Sequence, residues 1–168
     1  HALLRPGEMV NLKRQHVKLP GDAGWLLPVG LIAIVSPKTR RTGARQQHVV
    51  LSDPVLLWWC RLAFGSAPAS TRLLPYNVVR LEAIFRRLLR LCGLEGTEFT
   101  PGGLRAGGAT YLYLCGEDVE RLRFKGRWDS SLTLRHYVQE AAAVLVLGCL
   151  DAPAASWIAE LSARSYDV

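Results

Sequence analysis

Apolar residues Leu3, Leu4, Met9 and Val10 fall at helical spacing over residues 2–12, with Pro6-Gly7 at a break or first turn. The period then changes. Residues 17–19, 25–35 and 47–51 are β-branched or apolar runs, separated by Pro20-Gly21-Asp22 and by the stretch 37–45. They predict a small antiparallel sheet of three strands. From Asp53 the spacing is helical again: Asp53 followed by Pro54 predicts a capped helix reaching about Phe64, with a loop over 65–71. Asn77 is expected to cap an amphipathic helix that stops at Gly93. Its apolar face would hold Val78, Leu81, Phe85, Leu88, Leu89 and Cys92, with Arg80, Arg86, Arg87 and Arg90 turned largely outward. Thr100-Pro101 reads as the cap and first-position proline of a helix that carries Arg105 and stops near Gly116. Further helices are predicted over 118–124, 131–139, 141–150 and 155–163. The sum is an α+β fold, mainly helical, with a small three-stranded antiparallel sheet near the N-terminus.

Composition narrows this picture. A chain of 168 residues suits one domain with a single core, and an apolar fraction of 49% with five tryptophans supports that core. The longest uncharged apolar runs, 25–35 and 141–150, fall well short of the roughly 20 residues a membrane helix needs. No secretory leader pattern is visible at the N-terminus, so an intracellular protein is expected. The cysteines Cys60, Cys92, Cys115 and Cys149 form no C-x-x-C pair and have no histidine at ligand spacing, which argues against zinc and disulfides and for reduced, mostly core thiols. No metal or cofactor is expected. The net charge is +7, and 17 of the 21 cations are arginine, whose planar fork matches phosphate. Four cations fall within residues 37–45, namely Lys38, Arg40, Arg41 and Arg45.

One stretch points to a specific chemistry. Thr100-Pro101-Gly102-Gly103-Leu104-Arg105-Ala106-Gly107-Gly108-Ala109-Thr110 is followed by Gly126-Arg127-Trp128-Asp129-Ser130 and then by Leu134-Arg135-His136-Tyr137. At the other end of the chain stands Arg5-Pro6-Gly7-Glu8-Met9. Tyrosine is a weak nucleophile at neutral pH, so phosphoryl transfer to it requires cations on the nonbridging oxygens and a proton donor for the leaving alkoxide. Arginines, a lysine and an indole N–H can supply these. No Ser-His-Asp set, metal cluster or spaced pair of catalytic carboxylates competes with this reading, and the paired glycines do not make a nucleotide-binding loop.

In order and spacing these boxes resemble the catalytic domain of the tyrosine recombinase (phage-integrase) family, and their wording is similar to recombinases of eukaryotic mobile elements of the DIRS-like and crypton types. The resemblance covers nearly the whole chain. It implies a single catalytic domain over 1–168 that acts on double-stranded DNA and assembles as a homo-oligomer, a tetramer, with a nuclear location in a eukaryote. It also implies roles. Arg5 and Arg105 would clamp the scissile phosphate, Lys38 would protonate the departing 5′ oxygen, and Trp128 would donate its indole N–H to the phosphate. Tyr137 would form a 3′-phosphotyrosine intermediate, with Glu8 orienting the region around Arg5. Arg40, Arg41, Arg45 and Arg127 are expected on the DNA backbone.

Two departures accompany the match. Gly102 stands where the family usually keeps a histidine, or less often a lysine, three residues before the second arginine. The N-terminal core-binding domain with which the family wraps DNA is also expected to be missing, since only four residues precede Arg5. Alternatives therefore stand beside DNA integration or recombination: a catalytically impaired DNA-binding remnant, and DNA relaxation of the type IB topoisomerase kind.

Overall fold

The computed structural model describes residues 2–35, 37, 47–138, 148 and 150–166. They divide into two compact units, one made of His1–Ala2 with Pro6–Asn77 and the other of Leu3–Arg5 with Val78–Val168. The fold is α+β.

In the first unit, helix α1 (Pro6–Asn11) leads through a 3-10 turn (Arg14–His16) into an antiparallel sheet of order β1-β2-β3, with β1 at Val17–Lys18, β2 at Gly30–Ile34 and β3 at Gln47–Leu51. Ile32 lies opposite Val17 on one side and Val49 on the other, so β-branched side chains share one face and are buried. Helix α2 (Pro54–Phe64) covers that face through Leu57. The approach is close: a Cβ at Gly30 would stand 2.7 Å from Leu57 Cδ2. Each such apolar side chain contributes about 1.5–3 kcal/mol when fully buried. Asp53 caps α2 as predicted, its Oδ1 accepting from the Leu56 amide at 2.8 Å with Pro54 in the first turn.

The apolar run 25–35 becomes a strand only from Gly30. Before it the chain turns, the Trp25 indole donates to the Val29 carbonyl at 2.7 Å, and Leu26 is left 97% exposed. Pro28 brings no amide for a ladder, which removes the physical basis for extending the strand. The turn is locked by Asp22. Its carboxylate accepts from Arg14 Nη2 at 2.6 Å, from Arg61 Nη1 at 3.0 Å and from the Leu19 amide at 2.9 Å. Burial alone would raise this carboxyl, but the Arg14 hydrogen bond, the Leu19 amide and the charges of Arg14 and Arg61 hold it below its ordinary value.

The second unit contains α3 (Val78–Leu91), α4 (Gly103–Leu114), α5 (Val119–Gly126), α6 (Ser131–Arg135) and α7 (Ala152–Tyr166). Helix α3 ends as the glycine predicted. Gly93 has φ +69° and donates to the Arg90 carbonyl, while the Leu94 amide reaches back to Leu89. Gly116, with φ +83°, closes α4 in the same manner. The apolar face of α3 is only half covered: Leu81, Phe85 and Leu89 are half-buried and Leu88 is exposed. Helix α7 starts earlier than predicted because Asp151 caps it, accepting from the Ala154 amide at 2.8 Å.

Three expectations are corrected. Thr100-Pro101 does not cap and open α4; the Thr100 main-chain oxygen accepts from Gly103 in a turn, and the helix begins at Gly103 with no side-chain cap. The helix predicted over 131–139 stops at Arg135, where Tyr137 donates at 2.8 Å to the Leu134 carbonyl only three residues back, the tighter 3-10 type of bond common at helix ends. Of the thiols, Cys60 and Cys92 are half-buried and Cys115 is exposed, so none of these is a core residue. Residues 38–46 and 141–147, and with them most of the helix expected over 141–150, lie outside the described residues.

Candidate functional site

The core of the second unit is small and brings the sequence motifs together. Leu3, Ala109, Leu122, Trp128 and Leu134 are buried against one another, with Leu112, Tyr137 and Val138 packed on their edge. Arg105 enters this cluster from the first turns of α4 and is only 4% exposed. A buried guanidinium must be hydrogen-bonded or lose several kcal/mol of solvation. Main-chain oxygens do this: Nη1 donates to the Leu3 carbonyl at 2.7 Å and Nη2 donates to the Gly126 carbonyl. The guanidinium carbon lies 4.6 Å from the centre of the Trp128 ring and 5.9 Å from that of Tyr137. Such cation–π contacts contribute about 0.5–2 kcal/mol each when desolvated.

The position of Trp128 follows from α5 and its end. Asp118 caps α5 by accepting from Glu120 and Arg121, and the helix stops at Arg127, whose backbone is left-handed at φ 57°. The Trp128 amide then returns to the Arg123 carbonyl at 3.0 Å, which folds the indole over Gly126. No side chain fits at 126, because a Cβ would overlap the indole ring. Trp128 is 5% exposed, and among the described residues its Nε1 has no hydrogen-bond acceptor.

Tyr137 lies just past α6, half-buried, its ring 5.0 Å from that of Trp128 and tilted by 48°. Ser130 caps α6, accepting from the Thr133 amide at 3.1 Å, and Thr110 Oγ1 meets the Tyr137 carbonyl at 3.3 Å. One helix, α4, therefore both carries Arg105 and pins the turn that bears Tyr137. His136 is exposed beside it. Tyr111 and Tyr113 of α4 are 57% and 41% exposed, so exposure alone does not single out a nucleophile.

Arg105, Trp128 and Tyr137 thus form one cluster. Arg5 belongs to the same unit, two residues beyond Leu3. Glu8 is a buried residue of α1 in the first unit. Gly102 precedes α4 with φ −64°, and a Cβ there would meet only Thr100 Oγ1 at 3.5 Å, an ordinary contact. Lys38, Arg40, Arg41 and Arg45 lie outside the described residues, in the sequence between β2 and β3. The sequence reading missed Leu3 and the Gly126 carbonyl. The glycines at 108 and 126 carried the signal, since each is met at close range by a side chain, Leu3 and Trp128 respectively. Among the described residues no group of three or more His, Cys, Asp or Glu could hold a metal ion, and no helix is long and apolar enough to cross a membrane.

These elements define an α+β fold similar to that of a tyrosine recombinase. Among solved structures the chain is similar to the crystal structure of XerA recombinase, with a TM-score of 0.62 and 18% identity over 100% of this chain. It spans 54% of that structure, about half its length. No family model matches the chain, and no curated protein matches it.

Proposed function

We propose that this chain cleaves and rejoins DNA strands through Tyr137, in site-specific recombination or integration of a mobile element. The phenolic oxygen gives its proton to solvent and attacks the scissile phosphorus, the bond to the 5′ oxygen breaks, and a 3′-phosphotyrosine and a free 5′ hydroxyl result. Arg105 and Arg5 offset the charge on the nonbridging oxygens, Lys38 gives its proton to the departing 5′ oxygen, and Glu8 orients the region around Arg5. Attack by a 5′ hydroxyl of a second strand reverses the step without ATP, because the phosphotyrosine retains the energy of the broken ester. Arg40, Arg41, Arg45 and Arg127 hold the DNA backbone, and assembly of four copies on DNA and a nuclear setting belong to the same reading.

The observation that supports it most is the Trp128 Nε1, a buried donor with no acceptor among the described residues, in a ring that contacts both Arg105 and Tyr137. Buried donors are nearly always satisfied, and a phosphate oxygen from outside would complete this one. The test is incubation with a nicked suicide DNA substrate. A covalent adduct that survives SDS in the parent and is lost in Tyr137→Phe is expected.

A second reading has its own observation. Both terminal nitrogens of Arg105 are engaged by main-chain carbonyls, and Gly102 offers no imidazole, as a DNA-binding remnant without cleavage activity would. Stable noncovalent DNA binding with no adduct would establish that alternative. Relaxation of supercoiled DNA without synapsis would instead point to topoisomerase-like action.

A further inference from the structure

Leu3 is one of two described residues other than glycine with a positive φ, at 48°. A leucine rarely adopts this conformation, and a bulky side chain held there by its surroundings marks a constrained position. The surroundings are visible. Its side chain is 5% exposed among Ala109, Leu122, Trp128 and Leu134, and it lies so close to α4 that a Cβ at Gly108 would stand 2.9 Å from its Cδ2. The left-handed turn leaves its carbonyl 2.7 Å from Arg105 Nη1. The side chain is thus plugged into the cluster while the backbone oxygen latches the buried cation.

Two residues of chain extend by at most about 7 Å. Arg5 is therefore tethered within that reach of the point where Leu3 meets Arg105. We propose that Leu3 is a positioning residue: its left-handed carbonyl fixes the Arg105 fork and, through the short tether, sets Arg5 beside the same phosphate. The DNA consequence rests on the proposed function, whereas the latch on Arg105 does not.

The experiment compares Leu3→Ile with Leu3→Met. Both keep an apolar side chain of similar volume, but a β-branched residue resists positive φ and a methionine resists it no more than leucine does. Two readouts are taken on folded protein: the 15N Nε resonance of Arg105, and the salt dependence of binding to a short DNA duplex. In Leu3→Ile the resonance is expected to shift, and the slope of log K against log salt to fall by about 0.9, the equivalent of one phosphate contact. Arg5→Ala should lower the slope equally, with no further loss in the double variant, and Leu3→Met should match the parent in both readouts. An unshifted resonance in folded Leu3→Ile, or slopes that fall additively, overturns the proposal. Should Leu3→Ile not fold, the latch is read in the parent itself: a scalar coupling through the hydrogen bond from Arg105 Nη1 to the Leu3 carbonyl is expected, and its absence overturns the latch. If the parent binds no DNA, the functional reading fails while the resonance still decides on Leu3.

Discussion

The indole of Trp128 occupies the space where a side chain at Gly126 would stand. The same glycine offers its carbonyl to Arg105, so one residue holds both the ring and the cation stacked on it. Gly126→Ala should therefore expel the indole and destabilise the second unit by about 2 kcal/mol or more, at the upper end of overpacking effects. Urea unfolding read by tryptophan fluorescence checks this, with a red shift expected from the native variant.

Neighbouring glycines of α4 should respond differently to a methyl group. Gly107 has nothing within 4 Å of a built Cβ, so Gly107→Ala gains helix propensity and should stabilise by up to about 1 kcal/mol. Gly108→Ala must push Leu3, and its gain should vanish or reverse. Thermal midpoints of the two variants, measured side by side, test the pair.

Arg127 ends α5 in a left-handed conformation that glycine adopts without strain. Arg127→Gly and Arg127→Ala both remove the side chain, so their difference isolates the backbone. The glycine variant should be the more stable by about 1 kcal/mol, while both lower the salt slope of DNA binding by about one unit. Denaturant midpoints and filter binding separate these two effects.

Acid should unfasten the first unit through Asp22. Its carboxyl is held below the ordinary value in the folded state, so its contribution to stability is fully present above the unfolded value of about 3.9 and is lost as pH falls through the depressed folded value. Asp22→Asn should remove this acid-sensitive component and cost about 2 kcal/mol at neutral pH, because Arg14 and Arg61 lose their common anion. Stability against pH for parent and variant, from pH 7 to 2, is the measurement.

At Gly102 the backbone accepts any residue and a Cβ meets only an ordinary contact. Gly102→His should therefore fold as the parent does, and should raise the rate of strand cleavage at least about tenfold, a conservative value for an added acid–base group. Single-turnover cleavage of the suicide substrate measures it. An unchanged rate would mean that an imidazole at this position is not what limits the chemistry.

Local signals in the sequence were legible where a single residue type decides the backbone. Asp53-Pro54, Gly93 and Gly116 mark helix ends, and the β-branched and apolar runs around Ile32 and Val49 mark strands. Errors came where hydrogen bonds compete over a few residues. The Thr100 carbonyl captures the Gly103 amide and delays α4, and the short three-residue bond from Tyr137 to the Leu134 carbonyl tightens the chain where α6 ends. That Arg105, Trp128 and Tyr137 matter together was legible as residue identities in order, and the structure brings the three into one cluster. The backbone oxygens that hold Arg105 were not legible, since any residue supplies a carbonyl and only the fold decides where it points.

The Leu3 carbonyl and Arg105 are 102 positions apart. Contacts of such separation require most of the chain to be present and pay their loop-closure entropy before they reward it. During synthesis the arginine has no Gly126 oxygen and no Trp128 ring to rest on until α5 has left the ribosome, and the tyrosine follows nine residues after the tryptophan. Tyr137 is thus made after both Arg105 and Trp128, and no nascent fragment that lacks it carries all three.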